Sequence, residues 1–379
     1  MVVLKKVGES RQLMYGNKSV IKGAIASDME FYAAYPMTPA STLLSEVIAD
    51  GSIPYIQPED EIAVAMAGLG SAFTGKRTMV GTSGGGFALM TEALSYSVQA
   101  EIPLVVALSM RSGPSTGTPT CHEQGDINFA LNPTFGDFNH IVLCPSSIEE
   151  GYRLAGQALN HADTYQQFVM FLIDRQFSEG YTAVSQDQLV GAPVQRGKIE
   201  SNPSEDYARY ALTEDGISPR VMVGTENGDF IAPSYEHDIY GATSEDQSVK
   251  VAMTEKRFHK LDNFFEKEGI QGYEVINPDA KKMFVVFSFT TYVVKDFLRD
   301  HPQWGAIVVT YFKPLDTRMR SVIEGLDRLV FVENNISGQF ENYVRKELAL
   351  DTIATLSIDH IRKYDNMPIY REDLDNKAV

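Results

Sequence analysis

The sequence is poor in cysteine and has no long apolar segment. Its 379 residues include only Cys121 and Cys144, too few for a disulfide framework or for an iron–sulfur cluster held by this chain alone. No run of about 18 apolar residues occurs. Residues 1–13 carry Lys5 and Lys6 instead of the apolar core of a signal peptide. These absences predict a cytoplasmic protein without a membrane span.

Basic residues are also scarce. Lys and Arg total 33 against 50 for Asp and Glu, a net charge of −17. A field of that sign repels phosphate groups, so we expect neither nucleic acid nor an anionic membrane as a partner. The apolar share of 44% and the charged share of 22% exclude wholesale disorder. At roughly 150 residues per domain, the length predicts two domains plus connecting material.

Short apolar runs alternate with stretches of helical periodicity between residues 18 and 175. Predicted strands are 31–35, 53–57, 78–82, 104–109, 140–144 and 168–174. Predicted helices are 42–49, 59–73, 87–99 and 147–162. The alternation is typical of a mainly parallel sheet with helices on both faces, so we predict a doubly wound α/β domain.

The pattern weakens from residue 176 to 278, where Gly, Pro, Asp and Ser recur and one helix is predicted around 249–268. After Lys281 strands and helices alternate again, which predicts a second, smaller α/β domain. We therefore predict a first domain over 1–195, a long irregular connection over 196–278, and a C-terminal domain over 279–379.

Two candidate segments follow predicted strands. In YPMTPAS, two prolines fix a bend on which the Thr38 hydroxyl can donate to a ligand oxygen; alternatively, Thr38 or Ser41 merely caps the next helix. Glu59, Asp60 and Glu61 open a helix that is almost wholly apolar. They either complement its dipole or include a desolvated carboxyl with a raised pKa, able to donate a proton to a ring nitrogen. The pattern alone does not distinguish the three.

Two further segments are rich in glycine. GTSGGG, ending at Gly86, fits neither the GxGxxG nor the GxxxxGK[ST] motif, so a tight turn is favoured over phosphate binding. Arg111 ends an apolar strand and enters a loop dense in hydroxyls, which suits capture of a carboxylate or a structural salt bridge. Cys121 and His122 are adjacent, and a metal site or a Cys–His nucleophile is disfavoured there.

The order of these motifs is distinctive. YPMTPAS, EDEIAVAMAGLGSAFTGKRTMVGTSGGG, RSGPSTGTPT and EQGD follow one another, and TEDGISPR, YEHDIYG, MTEKRFHKL and VENNISGQ come later. The series closely resembles the α subunit of 2-oxoacid:ferredoxin oxidoreductases over nearly the whole chain, and looks most like the 2-oxoglutarate type (2-oxoglutarate synthase). The resemblance implies a pyrimidine-type thiamine diphosphate-binding domain followed by a domain like the C-terminal domain of transketolase.

The resemblance also implies roles for individual residues. Glu61 matches the glutamate that hydrogen-bonds N1′ of the cofactor's aminopyrimidine ring, with Glu59 as the fallback. Arg111 matches the arginine that holds the substrate carboxylate. Thr38 matches the threonine that contacts substrate near the cofactor, and Pro36 belongs to the same cofactor-binding motif. No metal ligand is assigned to this chain.

The implied activity is oxidative decarboxylation of 2-oxoglutarate with coenzyme A and ferredoxin, giving succinyl-CoA and CO₂, or the reverse carboxylation. A β subunit is expected to supply the diphosphate and Mg²⁺ site and a [4Fe-4S] cluster, with γ and δ subunits as further candidates. Pyruvate or branched-chain 2-oxoacids are competing substrates. Two non-enzymatic interpretations are a module that binds a phosphate-containing ligand without catalysis and a catalytically silent scaffold subunit.

Overall fold

The chain folds into alternating strands and helices. The structure, a computed structural model, describes residues 11–378. The strands of its first half are β1 (Arg11–Tyr15), β2 (Phe31–Ala34), β3 (Tyr55–Ile56), β4 (Thr78–Ser83), β5 (Leu104–Met110), β6 (Ile141–Leu143), β7 (Phe168–Asp174) and β8 (Tyr181–Ser185). The helices are α1 (Gly16–Ala26), α2 (Ser41–Asp50), α3 (Glu61–Phe73), α4 (Gly84–Gln99), α5 (Ile127–Leu131), α6 (Ile148–Tyr165) and α7 (Arg175–Glu179).

The second half repeats the alternation after an irregular stretch. Its strands are β9 (Tyr273–Ile276), β10 (Lys282–Val286), β11 (Trp304–Val309), β12 (Tyr311–Lys313), β13 (Arg328–Glu333) and β14 (Ser357–Arg362). Its helices are α8 (Gln247–His259), α9 (Phe264–Glu268), α10 (Thr290–Asp300), α11 (Met319–Ile323), α12 (Gln339–Glu347) and α13 (Arg371–Ala378).

The main sheet has the strand order β12-β6-β7-β5-β4-β2-β3 within the described residues. All its pairs are parallel except β12 with β6. Helices α3 and α4 pack on one face, and α1, α2 and α6 pack on the other. The central strands β5 and β7 are buried along their whole length, which explains their uninterrupted apolar sequences. The predicted doubly wound α/β fold is confirmed, and the six predicted strands occur to within two residues at each end.

A second sheet has the order β14-β13-β10-β11-β9, parallel except for the β11–β9 pair. It packs against the main sheet, since Val106 of β5 and Val285 of β10 belong to the same buried apolar cluster. Strand β12 crosses over and pairs with β6 through Tyr311 and Leu143. The two sheets therefore share a common core, and the chain passes directly from β11 of the second sheet into β12 of the main sheet.

The stretch before the second sheet differs from its prediction in two respects. Two helices, α8 and α9, stand where one was predicted, because Asn263 adopts a left-handed φ of 54° that interrupts the helix. Strand β9 also falls within the predicted connection but pairs in the C-terminal sheet. The bounds 1–195, 196–278 and 279–379 stay a prediction, and residues 1–10 lie outside the described part.

None of the helices between residues 11 and 378 is long and apolar enough to cross a membrane.

Candidate functional site

Loops from three parallel strands meet at one edge of the main sheet. Strands β2, β4 and β5 all end there, because the carboxyl ends of parallel strands share an edge. The loops enclose a cavity of about 550 Å³ whose lining includes Met37, Gly84, Gly85, Arg111 and Ser112. Three of the four segments singled out in the sequence therefore line one cavity.

Arg111 follows β5 directly and is largely buried. Its Nη1 donates a hydrogen bond to the carbonyl oxygen of Thr38, which brings the β2 and β5 loops together. Burial lowers the pKa of the Arg111 guanidinium, and the negative charge of Asp126 opposes that shift. Arginine nevertheless stays charged at pH 7, so the cavity contains a cation able to bind a carboxylate.

Glu61 begins α3 and is only 3% exposed. Asp60 caps that helix, since its Oδ1 accepts a hydrogen bond from the Ala63 amide at 2.9 Å. The Glu61 Oε1 is buried and has no hydrogen-bond partner among the described residues. Burial raises the pKa of the Glu61 carboxyl, a backbone hydrogen bond opposes this, and the charge of Asp60 adds to it. Glu61 is thus suited to hold a proton and to exchange it with a ligand.

The glycines of the α4 turn leave room for two carboxyl groups. A Cβ on Gly86 would lie 2.1 Å from Glu61 Oε1, and one on Gly84 would lie 2.7 Å from Asp126 Oδ1. Neither position could carry a side chain without displacing a carboxyl. The glycine run therefore allows Glu61 and Asp126 to approach the first turn of α4, where the helix dipole favours negative charge.

The sequence motifs do not indicate a role for Asp126, yet this residue lines the cavity together with Arg111. Its Oδ2 is buried without a hydrogen-bond partner among the described residues. Burial raises the pKa of Asp126 to about 6, although the Arg111 guanidinium opposes the shift. The cavity thus holds a carboxyl whose pKa is raised by burial.

The loop that carries Asp126 is bound to the second sheet. The Gln124 amide donates to the Asn334 carbonyl at 2.7 Å, and the Asn334 amide donates to Gln124 Oε1 at 2.9 Å. Gln339 Nε2 donates to the Gly125 carbonyl at 2.7 Å. The EQGD and VENNISGQ motifs are therefore in contact, which their separate positions in the sequence did not reveal.

The other residues singled out in the sequence are either exposed or lie in the contact between the EQGD and VENNISGQ motifs. Pro36 and Glu59 are exposed. His122 is buried, and its Nε2 lies 3.2 Å from Asn334 Oδ1, in the contact between the two motifs. Cys121 is a free thiol beside it. The roles predicted for Thr38, Pro36, Glu61 and Arg111 stay predictions.

Comparison with known proteins gives a consistent set of similarities. Residues 22–257 match the family model described as the thiamine diphosphate-binding domain of pyruvate flavodoxin/ferredoxin oxidoreductase. The chain is 31% identical to subunit alpha of 2-oxoacid:ferredoxin oxidoreductase 2 from Aeropyrum pernix, over 96% of this chain and 60% of that protein. It is 30% identical to the 2-oxoglutarate synthase subunit KorA of Methanocaldococcus jannaschii, over 78% of this chain and 79% of that one.

A solved structure is also similar. It is a 2-oxoglutarate:ferredoxin oxidoreductase from Magnetococcus marinus with 2-oxoglutarate, coenzyme A and succinyl-CoA bound. The TM-score is 0.89 at 28% identity, covering 98% of this chain and 65% of that chain. The chain spans about 60% of the length of the curated relatives that it matches from end to end.

Proposed function

The chain belongs to the family of 2-oxoacid:ferredoxin oxidoreductase α subunits, and we propose on that basis that it forms the 2-oxoacid site and the pyrimidine site of such an enzyme. The substrate proposed is 2-oxoglutarate, the compound named in the M. jannaschii relative and bound in the M. marinus structure. The reaction joins 2-oxoglutarate and coenzyme A into succinyl-CoA and CO₂, releases one proton and passes two electrons singly to ferredoxin. The reverse carboxylation uses the same groups.

The observation that carries this proposal is that Oε1 of Glu61 has no hydrogen-bond partner within residues 11–378. A buried polar atom without a partner is costly, so a ligand atom that completes its hydrogen bond is favoured there. The carboxyl with its raised pKa can share a proton with a ring nitrogen, here N1′ of the aminopyrimidine. Gly86 leaves the space that this carboxyl occupies. These features fit thiamine diphosphate.

In this proposal, individual residues of the chain have separate roles in binding and proton transfer. When bound, thiamine diphosphate supplies the carbon nucleophile for the 2-oxo group and the electron sink for decarboxylation. Glu61 holds and returns a proton at N1′. Arg111 binds the 1-carboxylate and orients the bond to be broken. The Thr38 hydroxyl contacts the substrate beside Arg111, whose guanidinium already binds the Thr38 carbonyl.

A β subunit completes the site in this proposal and supplies the diphosphate and Mg²⁺ site and the [4Fe-4S] cluster. An exposed apolar surface lies beside Glu61, where a partner would have to approach. It comprises Ile62 and Met66 of α3, Leu89 of α4, and Tyr55 and Ile56 of β3, each between 44% and 53% exposed. An apolar patch of this kind is typical of a protein interface, and the names of the relatives identify them as subunits.

The test is a reconstituted assay. The chain is co-expressed with its partner subunits, and thiamine diphosphate-dependent viologen reduction is measured with 2-oxoglutarate, pyruvate and 2-oxoisovalerate in the presence of coenzyme A. We expect 2-oxoglutarate to give the highest kcat/KM. No reduction with any of the three acids would refute the proposed activity, and a preference for another acid would refute only the substrate.

Two glutamates, Glu59 just before α3 and Glu61 at its first position, provide matched variants. Glu61→Gln removes the titrating proton and should lower kcat by about 100-fold or more, whereas Glu59→Gln alters an exposed carboxylate and should leave kcat unchanged. Loss of activity in Glu59→Gln alone would assign the pyrimidine contact to Glu59 instead.

A further inference from the structure

A side chain of the C-terminal domain closes the loop that lines the cavity. The loop runs from Ser112 to Thr118, and its two ends form an antiparallel bridge. Both end residues donate hydroxyl hydrogen bonds to one atom, Asn366 Oδ1, at 2.8 Å from Ser112 and 2.9 Å from Thr118. A single carbonyl oxygen thus uses both of its lone pairs to hold the two ends of the loop together.

The loop has few other anchors. Residues 113–118 are all exposed, and those from Gly113 to Thr116 line the cavity together with Arg111. Apart from the bridge itself, main-chain hydrogen bonds join both ends of the loop to Cys121, from the Ser112 amide to the Cys121 carbonyl at 3.3 Å and from the Cys121 amide to the Thr118 carbonyl at 2.8 Å, and the Gly113 amide donates to Glu123 Oε2 at 3.3 Å. Asn366 adds two side-chain hydrogen bonds to these ends. Because exposed loops with few hydrogen bonds open easily, we expect the loss of these two bonds to loosen the loop.

Asn366 is itself held in place by its neighbours. It adopts a left-handed φ of 68°, which asparagine tolerates better than most residues. Its carbonyl accepts from the His122 amide at 3.3 Å, and the next carbonyl, of Met367, accepts from Asn334 Nδ2 at 3.0 Å. The anchor is therefore fixed by the same segment that holds the loop of Asp126.

We propose that Asn366 is a positioning residue that sets the Ser112–Thr118 loop over Arg111 and thereby tightens binding of the 2-oxoacid. The anchoring of the loop follows from the hydrogen bonds alone, while its effect on substrate binding rests on the proposed function. Asn366 touches neither substrate nor cofactor in this proposal, and acts only through the two hydroxyls.

Three variants test it in the co-expressed complex. Asn366→Ala removes the acceptor, and Asn366→Asp keeps both an acceptor oxygen and tolerance of a left-handed φ. The control is Asn277→Ala, because Asn277 also has a left-handed φ, of 53°, and one side-chain bond, to the Trp304 carbonyl at 2.9 Å. Asn277 follows β9, at the opposite edge of the second sheet from β14, so it reproduces the backbone strain without touching the loop.

Hydrogen–deuterium exchange of the peptide covering 112–118 is the first readout. We expect about tenfold faster exchange in Asn366→Ala, as two hydrogen bonds are lost, and exchange near the wild-type rate in Asn366→Asp and Asn277→Ala. Unchanged exchange in Asn366→Ala would overturn the anchoring.

The second readout is the kinetics with 2-oxoglutarate. Asn366→Ala should raise KM about fivefold to tenfold with kcat within about twofold of wild type, and Asn366→Asp should restore KM. Faster exchange with an unchanged KM would overturn the effect on substrate binding. A wild-type complex that is inactive on every 2-oxoacid would instead overturn the proposed function, and the exchange result would still decide the anchoring.

Discussion

Replacing Gly86 by alanine tests whether the first turn of helix α4 sets the position of the Glu61 carboxyl. A Cβ there would lie 2.1 Å from Glu61 Oε1 and 2.5 Å from Thr82 Oγ1, so the Glu61 side chain must move. Overpacking of this kind costs about 1–3 kcal/mol, and alanine in place of a helical glycine gains about 1 kcal/mol. We therefore expect the free energy of unfolding to fall by only about 0–2 kcal/mol, while kcat falls about 100-fold because the proton-holding group is displaced.

The assay pairs a urea titration of the chain with the reconstituted reaction. Gly70→Ala is the control for stability, since Gly70 also lies in a helix but an added Cβ there would meet nothing within 4 Å among the described residues beyond its own helix backbone. It should gain about 1 kcal/mol. The double variant Glu61→Ala/Gly86→Ala should be no less active than Glu61→Ala alone, because both changes remove the same group. Activity losses that multiply in the double variant would refute the reasoning.

Three other substitutions have definite expected outcomes. Arg111→Met should raise KM or lower kcat for every 2-oxoacid by about 100-fold, as a charge-assisted contact is lost, and unchanged kinetics would place the carboxylate site elsewhere. Because burial raises the pKa of Asp126 from 3.8 to about 6, the stability from its protonated form is lost as pH rises through about 6. The free energy of unfolding of Asp126→Asn, measured by urea titration, should therefore rise relative to that of wild type by about 1–3 kcal/mol as the pH increases from 4 to 7. A difference that does not change with pH would contradict this. Glu101→Gln leaves the buried ammonium groups of Lys256 and Lys260 without the carboxylate that each binds at 2.6 Å, so the free energy of unfolding should fall by about 3–5 kcal/mol; a loss below about 1 kcal/mol would show that the cluster contributes little.

Burial on both faces makes the central strands predictable from the sequence. Strands β5 and β7 consist of seven buried residues each, and full burial leaves an apolar run that is visible in the sequence. Strands β1 and β14 are only partly buried, with one fully buried residue each, and β12 has three residues. Their conformation comes from pairing with a neighbouring strand, which no local pattern encodes.

In the candidate site, too, residues next to regular elements were predictable from the sequence, and residues held by contacts between loops were not. Arg111 directly follows strand β5 and Glu61 begins helix α3, and the apolar patterns of both elements are clear in the sequence. The edge of the sheet at which these two residues lie could therefore be predicted. The place of Asp126 in the cavity depends on the loop contact of Gln124 with Asn334, residues 210 positions apart in the chain. Asn366 reaches Ser112 over 254 positions. Contacts between irregular segments at such separations have no periodic signature.

Strand β12 is translated long after β6, the strand with which it pairs in the main sheet. It pairs with β6 about 170 residues after that strand, through Tyr311 and Leu143. Translation at about 5–20 residues per second puts roughly 10–30 s between the emergence of the two strands. During that interval the outer edge of β6 has unpaired amides and carbonyls, and such edges aggregate. Pairing with Tyr311 ends that exposure, whereas a truncated chain that stops before this residue keeps the edge open permanently.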